Sequence, residues 1–386
     1  MRQQHHNRWV GVGHSAAADP RQAAREATGA ALAGREPALL VLLSSSQRDF
    51  APLPRAVREA AGGAVPLIGC TTAGELAGTV AGSGHVVVIA LGGIAVRTAR
   101  GLLADGSRAA GAAAAAGIAA IEAPNRAVLL LAEALTGERS EIVRGAFSVA
   151  GALVPLIGGG AGDDLAMRQT HQFFDDDVLT GAVVGAAIGS DGPIGIGIGH
   201  GWQRVGEPMV VTESSGERIR RFDDQPAAEQ FLRRVGVDAA RADDPEVWAH
   251  AALMHPVGFP RPAGDEVRAI MGVDYEDRSL FCPDVPQGTM VWAMKGDAGT
   301  VMDGTRTACE RALEMLGDAP PVGLLAFDCA ARRAILGEDG IRAEAAAIAE
   351  LAPGVPVGGF YTYGEIARVS GSRGVHNATL AVLALG

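Results

Sequence analysis

The segment "PLIGCTTAGEL" (66–76) decides the fold because its pattern of residues occurs three times in the chain. "PLIGGGAGDDL" (155–165) and "PVGGFYTYGEI" (356–366) align with it without a gap, and all three share a proline, a glycine, an acid and a final apolar residue. The glycines allow a turn with φ > 0 or the close approach of another backbone, and the acid stands at the mouth of the turn. An internal repeat of this kind indicates a fold built from equivalent supersecondary units.

The sequence around the motif repeats as well. Apolar runs precede it at 38–44, 127–132 and 322–327, a helical segment lies between run and motif, and another apolar run follows. Alternation of strands with helices of about 10–15 residues is typical of α/β layers with mostly buried strands. We therefore predict an α/β fold of pseudo-repeated strand–helix–strand units, with mixed sheets, in two packed halves that meet near 214–232.

The composition restricts the classes of function. The chain has 386 residues, of which 48% are hydrophobic, so it can bury a large core and its length favours two domains. A net charge of −11 without an arginine-rich run argues against nucleic-acid binding. The absence of a run of about 18 apolar residues predicts no membrane span, and the N-terminus has no apolar signal-peptide core. Four cysteines without a CxxC pair fit a reducing compartment, so we predict a cytoplasmic protein.

The polar side chains that differ between the three turns predict the wall of a pocket. The third turn holds two of the chain's three tyrosines, whereas the middle turn is almost purely glycine. A turn with a purely structural role, in which the acid caps free backbone N–H groups, is the alternative, and it has no need of such divergent side chains. The side chains predicted to contact a ligand are those of Thr71, Thr72, Glu75, Asp164, Tyr361, Tyr363 and Glu365.

An arginine after the third repeat's first strand predicts an anion anchor. Cys329 ends that strand and Arg332 follows it. Both are predicted to contact a ligand, because ligands of α/β sheets bind outside the carboxyl ends of strands. A guanidinium binds a carboxylate through two hydrogen bonds, so Arg332 facing the acids of the turns suits an amino-acid zwitterion. A solvated start of a helix is the alternative interpretation of Arg332.

Two further candidates concern cofactors and catalysis. In "PIGIGIGHGW" (193–202), His200 shares the apolar face of an alternating strand, which suits an axial haem ligand; a core histidine bonded to a backbone carbonyl is the alternative. Cys70 and Cys329 are candidate nucleophiles, although a reactive thiolate needs a lowered pKa and neither has a histidine beside it in the sequence. Recognised enzyme motifs such as GxSxG or HExxH are absent, so catalysis is the less favoured expectation.

Several of these motifs together resemble one known family. "PLIGCTTAGEL" followed by a valine-rich strand is similar to the FIST N domain, and "GGFYTYGEIARVSGSRGVHNATLAVLAL" (358–385) is similar to the end of the FIST C domain. The resemblance extends from about residue 8 to the end of the chain. It implies a FIST N-like domain at 8–215 and a FIST C-like domain at 216–386.

The resemblance also implies a function. FIST proteins are understood as sensory, ligand-binding modules of bacterial signal transduction, and amino acids or similar metabolites are the expected small-molecule ligands. One branch binds haem and senses nitric oxide, which makes haem b, held by His200, a candidate cofactor. No kinase, receiver or cyclase segment is recognisable in the sequence, so we expect the output to come from a separate signalling protein such as a histidine kinase.

Overall fold

The computed structural model describes residues 8–261, 264–369 and 374–386. Within them the chain forms three mixed six-stranded sheets and one antiparallel eight-stranded sheet, together with α-helices. This confirms the predicted α/β fold of repeated units with mixed sheets. No helix in the described ranges combines the length and the apolar character that a membrane crossing requires.

The first repeat unit consists of strands and two helices. Its elements are β1 (Trp9–Ser15), α1 (Pro20–Leu32), β2 (Leu39–Ser45), α2 (Leu53–Ala60), β3 (Leu67–Thr72), β4 (Glu75–Ala77), β5 (Val80–Gly82) and β6 (Val86–Gly92). Of these, β2 and β3 are parallel neighbours in one sheet, and β6 runs antiparallel between β1 and β2.

The second unit repeats this order of elements. They are β7 (Ala95–Leu102), α3 (Ser107–Ala115), β8 (Asn125–Ala132), α4 (Arg139–Ala150), β9 (Leu156–Gly160), β10 (Gln172–Phe174), β11 (Asp177–Leu179) and β12 (Ala182–Ser190). Here β8 and β9 are parallel, and β12 lies antiparallel between β7 and β8.

The third unit begins with β13 (Ile194–Gly199) and is then interrupted by a long insertion, residues 200–297, which contains the eight-stranded sheet. The insertion holds β14 (Gln203–Ser215), β15 (Arg218–Phe222), β16 (Gln225–Pro226), α5 (Ala227–Arg234), α6 (Pro245–Met254), β17 (Val257–Arg261), β18 (Gly264–Arg268), β19 (Gly272–Val273), β20 (Leu280–Phe281) and β21 (Met290–Lys295). The unit resumes with α7 (Ala298–Glu314), β22 (Gly323–Cys329), α8 (Ala330–Leu351), β23 (Val357–Thr362), β24 (Glu365–Arg368), β25 (Val375–His376) and β26 (Leu380–Leu385).

The three units exchange strands in a ring. The strand that follows each repeated turn leaves its own unit: β4 pairs with β23, β10 pairs with β3, and β24 pairs with β9. In addition, β13 pairs with β26, although the predicted boundary near 214–232 lies between them in the sequence. The halves of the chain are therefore interlocked, and the division at 215/216 stays a prediction.

A single hydrophobic core lies between the three sheets. The equivalent residues Val41, Leu129 and Leu325 of the first parallel strands all belong to it. The opposite faces of the same strands pack against the helices of their own units, which form three separate outer clusters. These strands are buried on both faces, which explains why they are continuous apolar runs rather than alternating ones.

The glycine shared by the three motifs is required by this packing. A Cβ atom at Gly69, Gly158 or Gly359 would lie 2.1, 1.9 or 2.0 Å from a carbonyl oxygen of the neighbouring strand. Real Cβ atoms do not approach an oxygen so closely. The repeated glycine is therefore explained by the close approach of two backbones, as the motif predicts.

Candidate functional site

The three repeated turns meet in space. Three equivalent backbone hydrogen bonds join them in a ring: Gly162 N to Thr71 O at 2.9 Å, Ala73 N to Tyr361 O at 2.9 Å, and Tyr363 N to Gly160 O at 3.2 Å. Each bond connects a different pair of units. We call this ring the turn junction, and its contacts decide what the predicted site residues can reach.

Glu365 in the third turn fixes the start of the closing strand. Its carboxylate accepts hydrogen bonds from Thr362 Oγ1 at 2.8 Å, from Thr379 Oγ1 at 2.7 Å and from the Thr379 amide at 3.1 Å. The side chain is fully buried, and burial raises the pKa of Glu365 to about 7 against these hydrogen bonds, which lower it. The acid thus caps a backbone N–H group, as the structural alternative expects.

Glu75 makes the equivalent contacts in the first turn. It accepts hydrogen bonds from the hydroxyl of Thr72 and from the His85 amide, the latter at 2.9 Å. Burial raises the pKa of Glu75 to about 8. Both glutamates therefore serve the same structural purpose in two copies of the motif, and a direct contact of either with a ligand stays a prediction.

The two tyrosines of the third turn have different internal partners. Tyr361 is fully buried, and its hydroxyl donates to Glu344 Oε2 at 3.1 Å. Tyr363 donates to Asp163 Oδ1 at 2.5 Å, across the turn junction. The sequence predicted that Tyr361, Tyr363 and Glu365 face one space, whereas the structure places their polar groups in three separate hydrogen-bonded clusters.

The two remaining polar residues of the turns also have internal partners. Thr71 Oγ1 accepts a hydrogen bond from the His171 amide at 3.0 Å. Asp164 accepts from Ser45 Oγ at 2.8 Å and from the Ser46 amide at 2.7 Å, which ties the second turn to the first unit. These contacts join different units, so they account for the divergence of the turn residues without a ligand.

Arg332 is the cation of a buried ion cluster. Its Nε lies 2.6 Å from Asp328 Oδ1, and one terminal nitrogen lies 2.6 Å from Glu344 Oε1 and 2.7 Å from Thr305 Oγ1. Burial opposes its charge, but the two carboxylates raise the pKa of the Arg332 guanidinium above its usual value. The i, i+4 spacing of Asp328 and Arg332 could have revealed the pair from the sequence, but Glu344 comes from a distant turn of α8.

The candidate nucleophiles lie in environments that disfavour a thiolate. Cys70 is fully buried and Cys329 is 6% exposed. Burial raises the pKa of both thiols, and the nearby charges of Glu75 and Glu365 raise them further. A thiolate nucleophile needs the opposite shift, so the geometry does not support thiol chemistry at either residue.

A large cavity opens at the carboxyl end of β13, between α7 and the insertion. Its volume is about 890 Å³, within the range of small-molecule sites. Side chains from β13, α7, the insertion and the start of β26 contribute to its wall, among them His200, Trp202, Val267, Thr307, Arg311 and His376. The cavity lies where α/β sheets bind ligands, beyond the carboxyl end of a strand, here β13.

The position of this wall is fixed by the glycines of β13. A Cβ atom at Gly195, Gly197 or Gly199 would lie 1.9, 1.8 or 2.1 Å from carbonyl oxygens of α7. The helix therefore rests directly on the strand backbone. Its first turn is held by a capping box between Asp297 and Thr300, so one side of α7 faces the cavity in a defined orientation.

Two family models match the chain, the FIST N domain over residues 38–225 and the FIST C domain over residues 227–368. The chain belongs to the FIST family. This confirms the resemblance drawn from the motifs, and domains of the family are associated with sensory signal transduction and small-ligand binding.

Proteins similar to this chain occur in mycobacteria. An uncharacterized protein of Mycobacterium tuberculosis is 30% identical over 97% of this chain and 98% of its own length. An uncharacterized protein of Mycobacterium bovis is 28% identical over 97% of each chain. The similarity therefore spans the residues of the repeat units together with those of the insertion.

His200 in this FIST protein does not fit a haem iron. Its Nδ1 accepts the Trp202 amide proton at 2.9 Å, and its Nε2 lies 3.2 Å from the Asp265 carbonyl oxygen, to which it can only donate. Burial lowers the pKa of His200, in agreement with a neutral ring. Both ring nitrogens are thus engaged, and iron would have to displace one of these hydrogen bonds.

The predicted site residues surround the turn junction and the ion cluster rather than the cavity. None of the nine predicted ligand contacts is among the described residues that line the cavity. Some of them bond to residues of the wall: Glu365 accepts a hydrogen bond from Thr379, and Arg332 donates one to the His200 carbonyl oxygen. The sequence pattern indicated His200 but not Thr300, Thr307 and Arg311, whose spacing places them along one side of α7.

Proposed function

We propose that this FIST protein is a cytoplasmic sensor whose small ligand occupies the cavity between α7 and the insertion. The observation that carries the proposal is the volume of about 890 Å³ at the carboxyl end of β13. The described part of the turn junction is instead joined by backbone hydrogen bonds and filled by its own side chains. The association of the family with small-ligand binding supports this assignment.

Amino acids or similar metabolites are the first ligands to test, and Thr379 offers a way for them to act on the protein. Thr379 forms part of the cavity floor and holds Glu365, which in turn holds Thr362 of the third turn. A ligand that displaces Thr379 would therefore disturb a turn that the other two units contact. Through this link the predicted residues would contribute to the response rather than to direct binding.

A separate signalling protein, such as a histidine kinase, would detect the liganded state. This part of the proposal rests on the sensory association of the family. Co-purification of the FIST protein with such a kinase, strengthened or weakened by the ligand, would support it. Equal recovery of the kinase with and without a bound ligand would contradict it.

The test of the binding site is a cavity-filling variant with a matched control. Thr307→Trp places a large ring in the cavity, whereas Glu310→Trp places the same ring on the exposed side of α7. A metabolite that binds at about 100 times its Kd stabilises the native state by about 2.7 kcal/mol, which thermal unfolding detects. We expect this gain in the parent protein and in Glu310→Trp, and its loss in Thr307→Trp.

Two outcomes would count against the site. A metabolite that stabilises both tryptophan variants equally binds elsewhere. If no member of a broad metabolite panel stabilises the parent protein, the sensor function itself loses its support.

A further inference from the structure

The acidic side chains of the cavity are already neutralised by arginines. Three of them lie in the wall, and each has a guanidinium partner within the chain. The pairs are Asp265 with Arg204 at 2.5 Å, Glu266 with Arg261 at 2.7 Å, and Asp303 with Arg306 at 3.1 Å. A cationic group of a ligand would therefore meet no carboxylate that lacks a partner.

Among the described residues of the wall, Arg311 is the cation that remains. One of its terminal nitrogens donates to the Ile198 carbonyl oxygen at 2.9 Å, and no carboxylate in the part of the chain that the structure describes forms an ion pair with it. Arg311 lines the cavity and is exposed to solvent. After the internal pairs are set aside, the described residues of the wall leave one positive charge, which favours a ligand with one negative charge.

The hydroxyl groups of the cavity present acceptors rather than donors. Each of the three threonine hydroxyls in the wall donates its proton to an oxygen of the protein. Thr300 donates to the Asp297 carbonyl at 3.2 Å, Thr307 to the Asp303 carbonyl at 2.9 Å, and Thr379 to Glu365 at 2.7 Å. Since a hydroxyl has one proton and two lone pairs, these oxygens can only accept a hydrogen bond from a ligand.

His376 adds a further acceptor. Its Nε2 lies 2.8 Å from the Ala367 carbonyl oxygen and must carry the proton, so Nδ1 has a lone pair. Burial lowers the pKa of His376 to about 4, so the ring is neutral at physiological pH. The cavity thus combines one cationic end with several neutral acceptors, which neutral O–H donors of a ligand match.

We propose that the cavity binds sugar acids, that is, polyhydroxylated organic acids with one carboxylate. The carboxylate binds Arg311, and hydroxyl groups donate to Thr307 and onward to Thr379 and His376. Arg311 and Thr307 are one helical turn apart, about 6 Å along α7, which a single sugar ring spans. An amino acid fits less well because its ammonium group finds no free carboxylate, and because it fills only a small part of the volume.

This inference rests on the proposed function, and a binding panel separates the two. The probes are D-glucuronate, D-gluconate and D-galacturonate, with D-glucose and the methyl ester of D-glucuronate as uncharged analogues and L-glutamate as the amino acid. Isothermal titration of the full chain measures Kd for each. We expect binding of at least one sugar acid, and binding of its uncharged analogue that is weaker by about ten- to a hundredfold, since a hydrogen-bonded charge is lost.

Variants of α7 test the contacts. Arg311→Gln should weaken the sugar acid by about ten- to a hundredfold and leave the uncharged analogue unchanged. Thr307→Val should weaken both by about two- to tenfold. Arg342→Gln, an exposed arginine of α8 paired with Asp339, is the matched control and should bind as the parent does.

The outcomes are distinguishable. If none of the three sugar acids binds, the inference is overturned, whether or not another metabolite binds. If L-glutamate binds and the sugar acids do not, the sensor function stands and this ligand class is wrong. If a sugar acid binds equally to the parent and to Arg311→Gln, the proposed anchor is wrong.

Discussion

The first and third units share one scaffold but differ in a single connection. In the first unit, residues 16–19 lead from β1 directly to α1, whereas residues 200–297 separate β13 from α7 in the third. In both units the glycines of the first strand let the first helix rest on its backbone. The insertion therefore adds a wall at the end of a strand that is otherwise equivalent in the two units. The cavity arises from the connection between the first strand and the first helix, while the packing of that helix on that strand is the same in both units.

The two units also differ below the cavity. Ser44 of β2 corresponds to Asp328 of β22 by register, and only the third unit adds a buried arginine and a second acid. One terminal nitrogen of Arg332 donates to the His200 carbonyl at 3.1 Å, so the ion cluster contacts the chain where the insertion begins. The ion cluster therefore stabilises the end of β13, where the insertion that forms the cavity wall begins.

The largest effect is expected from removal of the central cation. Arg332→Met leaves Asp328 and Glu344 buried without a counter-ion, which costs about 3–5 kcal/mol of the free energy of unfolding. Chemical denaturation of the parent and the variant measures the difference. The first unit has no such cluster, so the third unit should be the more sensitive of the two to loss of a single polar side chain.

A rescue variant separates charge from packing. Arg332→Met combined with Asp328→Asn and Glu344→Gln removes the unpaired charges and should recover a substantial part of the loss. Arg342→Met, on the exposed side of the same helix, should change stability little. If the triple variant is no more stable than Arg332→Met, the loss is due to the missing side-chain volume and not to the charges.

A smaller effect is expected where strand and helix touch. In Gly197→Ala the new Cβ would lie 1.8 Å from the Ala308 carbonyl oxygen, so α7 must move away from β13. We expect a loss of about 1–3 kcal/mol, as for other overpacked cores, together with weaker ligand binding because the cavity wall shifts. Gly29→Ala in α1 is the control, since no atom lies within 4 Å of the new Cβ. It should stabilise by about 0.5–1 kcal/mol.

The repeated motif predicted the units because its chemistry is local. A proline after a helix and a glycine forced by a neighbouring backbone appear at fixed places, so three copies could be aligned from the sequence alone. The pairing of β4, β10 and β24 with strands of other units could not be predicted, because the sequence of a short strand does not determine which sheet edge it pairs with. The α/β class and the family were therefore predictable, while the ring of units was not.

The candidate site was harder to predict for a related reason. Divergent polar residues in the turns suggested a pocket, but a buried hydroxyl or carboxylate that bonds to another unit has the same appearance in the sequence as one that bonds to a ligand. Glu344, which satisfies Arg332 and Tyr361, lies 12 residues after the first and 17 before the second, and no motif marks it as their partner. The cavity depends on how the insertion packs against α7, which is a property of the tertiary structure. His200 was noticed, but its partner Asp265 comes from the insertion.

The pH dependence of stability is expected to give the smallest effect for a single step of one pH unit, at most about 1.4 kcal/mol, and there the turns should differ in sign. The pKa of Glu365 is raised to about 7 by burial, so the folded state retains a proton that the unfolded state releases near its ordinary pKa of about 4.3. Its contribution is complete below that value and is lost as the pH rises through 7. Asp163 of the second turn has a lowered pKa, because hydrogen bonds from Tyr363 and from backbone amides outweigh its burial. Its contribution is therefore lost as the pH falls.

Denaturation between about pH 3 and 8 tests this difference. One proton corresponds to at most about 1.4 kcal/mol for each pH unit, and Glu365→Gln should remove that slope between about pH 4.5 and 7. Asp163→Asn should leave this slope intact and lower stability by a constant amount above about pH 4.5, where the aspartate is ionised in both the folded and the unfolded state. This loss should shrink as the pH falls below about 4. If Glu365→Gln follows the parent across the whole range, Glu365 is ionised in the folded protein as readily as in the unfolded chain. The two turns would then differ in sequence but not in the electrostatics of their acids.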